Sequence, residues 1–190
     1  MTYGVILARF QPVHNGHLAL IKKAVKENDK VVLLVGSADK FNIRNPIPTD
    51  LRISLLISSL EKLDILSKCI IVRLDDLTSE SDNSIDWGFY VYAKVISIIK
   101  EPYFTMYYSD GYEIITTWFP GFILKNYVSL ALLARGNVEK GVSATKVRDL
   151  IKSKNDVELI KNVPDAVYEH RNILKTFIEL SEKWKTKELH

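Results

Sequence analysis

The chain has 190 residues, of which 47% are hydrophobic and 26% are charged, and its formal net charge is +3. This composition is typical of a single soluble globular domain, and the length suffices to bury a core without disulfides. A net charge this small does not by itself indicate binding to nucleic acid or to a membrane, and we expect neither as a partner. Cys69 is the single cysteine, which excludes an intrachain disulfide and favours a reducing, cytoplasmic compartment. The first residues lack the basic segment of a signal peptide, and no apolar stretch is long enough to span a bilayer.

Apolar runs and helical spacing alternate along the chain. Buried strands are predicted at Tyr3–Ala8, Lys30–Val35, Cys69–Leu74 and Phe104–Tyr108. Helices are predicted at Gly16–Glu27, from Thr49 as N-cap to Leu63, at Trp87–Ile99, at Ala144–Lys152 and at Ala166–Lys185. Ser37–Pro48 reads as a loop, and Val128–Ala134 fits either a strand or a helix.

This alternation predicts an α/β fold: a Rossmann-like parallel sheet with helices on both faces and C-terminal helices appended. Ligands of such sheets bind at the carboxyl ends of the strands. We expect one domain over residues 1–190, with 155–190 as a C-terminal helical extension.

Two histidines lie where the first predicted strand meets the first predicted helix. Their spacing at a helix start places His14 and His17 on one side, and Gly16 between them lets a ligand approach the backbone. A helix N-terminus offers free amide hydrogens to a phosphate, and Arg9 just upstream adds a forked cation. These residues favour a phosphate site. A capping or surface role for the histidines, or a zinc site, is the alternative.

A second turn enters a helix at Gly141–Arg148. Ser143 is a good N-cap, which leaves further amide hydrogens free for an anion. Thr145 and Arg148 share one face, from which Arg148 can reach a phosphate. A plain capped surface helix is the alternative.

The segment 8–17, ARFQPVHNGH, resembles the signature of the HxGH nucleotidyltransferase superfamily, and more narrowly the archaeal-type nicotinamide mononucleotide adenylyltransferases. It departs at Ala8, where that family usually has glycine. Residues 143–148, SATKVR, resemble the superfamily's second motif, SxTxxR, which contacts the ATP phosphates. The two motifs occur in the right order, and the resemblance covers about the first 150 residues. It implies catalytic roles for His14, His17, Arg9 and Arg148, and ATP binding by Phe10, Gly16, Ser143, Thr145 and Arg148.

Two loops extend the resemblance to the second substrate. The sequence GSA at 36–38, the IRNP segment at 43–46 and an Asn…Trp pair imply mononucleotide binding by Gly36, Ser37, Arg44, Asn83 and Trp87. The spacing of the Asn…Trp pair is one residue longer in this sequence than in the family. The helix predicted from Thr49 to Leu63 starts differently from that of the family, which leaves the role of Arg52 open. A tryptophan face suits a cationic pyridinium ring, although Trp87 also fits a core position. We expect Asp82 and Asp86 to favour nicotinamide over nicotinate mononucleotide, and Ser109-Asp110-Gly111 resembles a further family loop.

The resemblance implies that the mononucleotide phosphate attacks the α-phosphorus of ATP and releases pyrophosphate, forming NAD. An ionised phosphate needs no general base, so catalysis should consist of positioning and charge stabilisation. Mg²⁺ is expected on the ATP phosphates without a protein metal site. ATP and nicotinamide mononucleotide are the expected partners, together with further copies of the chain in a homo-oligomer.

Other functions remain open from the sequence. Another HxGH adenylyl- or cytidylyltransferase would act on pantetheine phosphate or flavin mononucleotide. A non-catalytic nucleotide-sensing regulator would bind the same ligands without turnover. A class I aminoacyl-tRNA synthetase is excluded because the chain has no room for an anticodon-binding domain.

Overall fold

A computed structural model describes residues 1–134 and 142–187, with side chains through Trp184. Gly141, the first residue of the predicted turn at Gly141–Arg148, lies outside the described residues. Five parallel strands form one sheet in the order β3-β2-β1-β4-β5. The strands are β1 (Tyr3–Ala8), β2 (Lys30–Val35), β3 (Cys69–Arg73), β4 (Phe104–Ser109) and β5 (Val128–Leu133).

Helices connect and follow these strands. They are α1 (Asn15–Glu27), α2 (Thr49–Lys62), α3 (Ile85–Ile99), α4 (Gly121–Asn126), α5 (Ala144–Ser153), α6 (Asp156–Asn162), α7 (Asp165–Glu169) and α8 (Arg171–Lys187). Short 3₁₀ turns lie at Leu66–Lys68 and Glu113–Thr117. None of the described helices is long and apolar enough to cross a membrane.

The sheet buries both of its faces, which is why its strands read as continuous apolar runs. Ile6, Val31 and Leu33 pack with α1, α2 and the C-terminal helices. Their neighbours Val5 and Val32 pack on the opposite face with α3 and α4. The predicted α/β fold with helices on both faces is therefore confirmed.

Several predicted boundaries differ from the structure. Thr49 is not the N-cap of α2: Pro48 holds that position, while the Thr49 hydroxyl donates a hydrogen bond to the Ala38 carbonyl over 2.7 Å. The third helix begins at Ile85 rather than Trp87, because the Ser84 hydroxyl caps it by accepting from the Trp87 amide over 3.1 Å.

The C-terminal region is more broken than its periodicity predicts. The expected helix at Ala166–Lys185 is two helices, α7 and α8, separated at His170. The sequence pattern also missed α6, which begins after Asn155 caps it by accepting from the Glu158 amide over 3.2 Å. The ambiguous Val128–Ala134 segment forms β5 because it pairs with β4 along its whole length.

Candidate active site

The loops that leave β1 and β2 contain left-handed backbone at residues other than glycine. Phe10 has a φ of 51° and Ser37 a φ of 46°, and such conformations persist only where the surroundings enforce them. Arg52 of α2 provides that restraint. Its guanidinium donates hydrogen bonds to the carbonyl oxygens of Arg9 (2.6 Å), Gly36 (2.9 Å) and Ser37 (3.0 Å). One buried cation thus ties the two loops together.

Arg52 is fully buried and also donates to the Thr49 hydroxyl over 2.6 Å. Burial, followed by the charge of Arg9, lowers the pKa of Arg52 to about 10, so its guanidinium is charged at neutral pH. The guanidinium of Arg52 donates to backbone carbonyl oxygens of the protein itself. Its role, which the sequence left open, is therefore to position the two loops.

The two motif histidines form a stacked pair at the start of α1. His14 caps the helix, since its Nδ1 accepts a hydrogen bond from the His17 amide over 3.3 Å. The imidazole centroids lie 3.7 Å apart with an interplanar angle of 22°, and the Phe10 ring centroid lies 4.9 Å from that of His17. A Cβ on Gly16 would lie 3.1 Å from the His14 ring, so any side chain there would press on the pair.

Burial of the histidine pair determines its charge. Burial lowers the pKa of His14 to about 4, and burial together with the charge of His14 lowers the pKa of His17 well below its ordinary value. At pH 7 both rings are therefore neutral in the ligand-free protein. The Nδ1 atom of His17 is buried and has no hydrogen-bond partner among the residues that the structure describes.

Four positively charged or imidazole side chains converge on one cleft, which we call the cationic cleft. Its cavity volume is ≈ 390 Å³, and Arg9, His17, Arg44, Thr145 and Arg148 line it together with Phe10 and Gln11. No carboxylate is among these lining residues. Such a lining suits an anion, which is the kind of ligand that both motifs predict.

Hydrogen bonds of Gln11 and Arg148 connect the segments that line the cationic cleft. The Gln11 amide donates to the Ile47 carbonyl (3.2 Å) and accepts from the Ile47 amide (2.9 Å). Arg148 donates to the Gln11 carbonyl (3.0 Å) and to the Thr145 hydroxyl (3.3 Å). Ser143 caps α5 as predicted, accepting from the Lys146 amide over 3.2 Å. The first motif, the Arg44 loop and α5 are therefore held in one arrangement.

A second cleft, the central cleft, lies between the carboxyl ends of β1 and β4. It has a volume of ≈ 240 Å³ and is lined by residues that include Ala8, Arg9, His17, Tyr108 and Tyr112. The strand order reverses between β1 and β4, which is the point where open α/β sheets bind ligands.

A third, smaller space is the tryptophan cavity, of ≈ 50 Å³, which has room for a few water molecules. Trp87 and Trp118 line it, with ring centroids 6.0 Å apart in an edge-to-face arrangement. Trp87 is 6% exposed, and its indole nitrogen is buried without a hydrogen-bond partner. The Asn83 amide accepts from the Trp118 indole over 3.2 Å and donates to the Ser81 carbonyl over 2.9 Å. Trp87 is thus both a core residue and a cavity wall, while Asn83 shapes that wall.

The acidic residues of the tryptophan cavity are only partly those expected from the sequence. Asp82 lines the cavity, but its carboxylate accepts from the Ser84 amide and the Thr78 hydroxyl. Asp86 is exposed and is absent from the residues that line the cavity, because it lies in the first turn of α3. Asp76 and Glu80 line the cavity instead.

Arg9 connects the three spaces, since it lines each of them. Of the other predicted residues, Gly36, Ser37, Asn83 and Trp87 line the tryptophan cavity, and Phe10, His17, Arg44, Thr145 and Arg148 line the cationic cleft. His14, Gly16 and Ser143 support the helix starts beside that cleft. Sequence reasoning missed Gln11, Asp76, Glu80, Tyr112 and Trp118; only Gln11, inside the first motif, carried a usable signal.

A parallel sheet with helix starts beside a cationic cleft and an aromatic cavity at its carboxyl edge is typical of α/β proteins of the nucleotide-binding class. The family profile described as cytidylyltransferase-like matches residues 5–150. A nicotinamide-nucleotide adenylyltransferase of Thermococcus kodakarensis is 30% identical over 195 aligned positions, covering 95% of this chain and 92% of the relative. Its counterpart from Thermococcus onnurineus is 28% identical, with the same coverage of both chains.

Solved structures show the same fold. A bifunctional NMN adenylyltransferase/ADP ribose pyrophosphatase from Francisella tularensis superposes with a TM-score of 0.67 at 20% identity, covering 94% of this chain and 50% of that one. The chain thus spans about half the length of that protein. A putative nicotinate-nucleotide adenylyltransferase from Vibrio parahaemolyticus gives 0.62 at 16% identity, covering 92% of this chain and 99% of that one. The chain belongs to the cytidylyltransferase-like family and, within it, to the nicotinamide-nucleotide adenylyltransferases.

Proposed function

We propose that the protein transfers AMP from ATP to nicotinamide mononucleotide, forming NAD and pyrophosphate. The observation that carries the proposal is the convergence on Arg9 of a cationic cleft, a cleft at the strand-order reversal and a tryptophan-lined cavity. Two phosphorylated ligands need such a shared cation between them, because their phosphates must approach one another against charge repulsion.

Each space suits one part of the substrates. The cationic cleft takes the triphosphate on Arg9, His17 and Arg148, with Arg44 contacting either substrate's phosphate. The central cleft takes the adenosine. The tryptophan cavity takes the nicotinamide ring, whose carboxamide is a partner for the free Trp87 indole N–H. Because this cavity has only ≈ 50 Å³, its walls must move apart to admit the ring.

The chemistry is an in-line displacement at phosphorus. An oxygen of the mononucleotide phosphate forms a bond to the α-phosphorus of ATP while the bond from that phosphorus to the β-bridging oxygen breaks. The electron pair leaves with pyrophosphate, and no proton has to be removed from the nucleophile. Positioned cations and the neutral histidine donors stabilise the charge that develops on the phosphate oxygens.

Mg²⁺ enters as part of the substrate, bound to ATP. No group of three or more His, Cys, Asp or Glu suited to a metal occurs among residues 1–134 and 142–187. Among the described residues, those that line the cationic cleft include no carboxylate.

The test is an incubation of the purified protein with ATP, Mg²⁺ and a panel of acceptors. NAD and pyrophosphate in equal amounts from nicotinamide mononucleotide are the expected products. Faster transfer to flavin mononucleotide or pantetheine phosphate would overturn the substrate assignment. Tight nucleotide binding with no turnover on any acceptor would identify a regulator instead.

Three expectations stay predictions. They are a cytoplasmic location, assembly into a homo-oligomer, and a single domain in which residues 155–190 form a C-terminal extension. The reducing compartment is supported by the single cysteine, Cys69. Its partly buried thiol has a pKa raised to about 11 by burial, so it is protonated at neutral pH.

Replacing Arg148 with alanine is expected to raise the KM for ATP roughly 10–100-fold, the range for losing hydrogen bonds to a charged group. The KM for the mononucleotide should change much less. Lysine should rescue only partly, because it lacks the forked donors that also hold the Gln11 carbonyl and the Thr145 hydroxyl. Lys152→Ala, at an exposed position of the same helix, is the control for initial-rate kinetics with each substrate varied. Equal effects of Arg148→Ala on both substrates would contradict the assignment.

Asp76, which lines the tryptophan cavity together with Asp82, is a further residue expected to reject nicotinate mononucleotide. Its buried Oδ2 has no hydrogen-bond partner among the described residues, while its Oδ1 accepts from the Ser37 hydroxyl over 3.0 Å. Asp76→Asn keeps that acceptor and removes the charge that repels a second carboxylate. We expect the ratio of kcat/KM for nicotinamide over nicotinate mononucleotide to fall about tenfold, equivalent to ~1.4 kcal/mol. Asp86→Asn should leave the ratio unchanged, and an unchanged ratio in Asp76→Asn would refute the role.

A further inference from the structure

The C-terminal helix α8 contacts the loop that carries Arg44 through aromatic rings. Phe41 lies at the base of that loop and meets Phe177 edge-to-face, with centroids 6.3 Å apart and an interplanar angle of 84°. It also meets Trp184 edge-to-face at 5.6 Å and 85°. Phe177 and Trp184 lie about two helical turns apart, hence on one face of α8. Phe41 therefore contacts both rings of that face.

The segment between Phe41 and Arg44 is short and internally bonded. The Asn42 side-chain oxygen accepts hydrogen bonds from the amides of Arg44 and Asn45, each over 2.9 Å. The backbones of Asn42 and Asn45 also exchange hydrogen bonds over 3.2 and 3.0 Å. Arg44 therefore lies in a compact turn that directly follows Phe41.

The opposite side of this turn is held by the body of the protein. Asn45 is fully buried, and the Asn42 amide donates a hydrogen bond to the Glu80 carboxylate. The Arg44 guanidinium also faces Glu80, with Nε 3.7 Å from Oε2, and remains 61% exposed beside the cationic cleft. Phe41 provides the anchor on the side of α8.

We infer that α8 is a brace for substrate binding, in which Phe177 and Trp184 hold Phe41 and thereby position Arg44 at the cationic cleft. These three aromatic residues are positioning residues, because they act through Arg44. The inference rests on the proposed function only in the choice of substrate. Its structural part, the anchoring of the loop, holds for any anion bound by Arg44.

The first experiment measures the anchoring without any substrate. Lys40 and Arg44 are trypsin sites within the braced loop. Trp184→Ala is expected to be cut there roughly threefold to tenfold faster than the unaltered protein, the range for losing one aromatic pair. Phe41→Ala loses the contacts with both rings and should be cut at least as fast. Trp184→Phe should remain close to the unaltered protein because it keeps a ring edge. Leu180→Ala, at an exposed position of the same helix, is the matched control.

The second experiment is a double-mutant cycle on the kinetics. Trp184→Ala is expected to raise, by a similar roughly threefold to tenfold factor, the KM for the same substrate that Arg44→Ala affects, with kcat nearly unchanged. In an Arg44→Ala background, Trp184→Ala should have no further effect, since the braced group is gone.

The outcomes separate the brace from the proposed function. The brace would be overturned if Trp184→Ala and Phe41→Ala had the same cleavage rate and KM as the unaltered protein. It would also be overturned by an effect of Trp184→Ala that persists without Arg44, or by an equal effect of Leu180→Ala. If Trp184→Ala lowers Tm, Phe41→Leu supplies the same test from the loop side. Absence of any transfer by the unaltered protein would refute the proposed function and leave the cleavage result valid.

Discussion

Replacing His17 with alanine is expected to lower kcat by ~10²–10³, the cost of losing one preorganised donor to developing charge. His17 lines the cationic and central clefts, and its buried Nδ1 has no hydrogen-bond partner within residues 1–134 and 142–187. Burial lowers the pKa of His17 well below its ordinary value, so the ring is a neutral hydrogen-bonding group at pH 7 in the ligand-free protein. The measurement is turnover under saturating ATP and mononucleotide, with Tm recorded in parallel.

His170→Ala is the matched control, because this exposed histidine lies at the break between α7 and α8. It should leave kcat close to that of the unaltered protein. His14→Ala tests the other half of the stacked pair and should also destabilise α1, whose N-terminus His14 caps. A folded His17→Ala variant with near-normal turnover would remove His17 from the catalytic groups.

Replacing Arg52 with methionine is expected to lower the free energy of unfolding by ~3 kcal/mol, within the range for breaking a buried charged network. Methionine fills part of the volume but leaves the carbonyls of Arg9, Gly36 and Ser37 without their donor. For a chain of this size the change corresponds to a fall in Tm of roughly 6–12 °C. Because Phe10 and Ser37 hold left-handed backbone, loss of the restraint should also raise both KM values.

Arg73→Met provides the comparison, since Arg73 is exposed and pairs only with the Asp50 carboxylate at the surface. It should change Tm by little, as surface ion pairs contribute little. Arg52→Lys keeps the positive charge but lacks the forked donors, and its Tm should lie between those of Arg52→Met and Arg73→Met. A Tm for Arg52→Met close to that of the unaltered protein would show that the loops hold their conformation without this cation.

Local patterns sufficed where the determining interactions are local. Tyr3–Ala8 and Lys30–Val35 were predicted with the bounds that β1 and β2 have, because strands buried on both faces are unbroken apolar runs bounded by polar residues. His17 and Arg148 could be proposed from the sequence because a phosphate site at a helix start would place its residues within one turn. The break at His170 has no such local signature, and the structure offers no physical account of it.

Local patterns did not suffice to predict whether a loop side chain points into a cavity or into solvent. Nothing near Asp76 or Asp86 indicates that the first lines the tryptophan cavity and the second faces solvent. Trp118 lies outside every element predicted from the sequence, and its contact with Asn83 joins segments far apart in the chain. Sequence spacing carries no information about such pairings.

The sequence by itself determined the class of fold, the two phosphate motifs and the family they resemble, because these depend on residue types at short fixed spacings. Only the tertiary structure decided which loop side chains share a cavity, since that depends on long-range anchors. Arg52 bridges the ends of β1 and β2, Gln11 clamps the backbone of Ile47, and Phe41 rests on α8. Each anchor joins segments whose distance in space is set by the packed sheet and not by their separation in the chain.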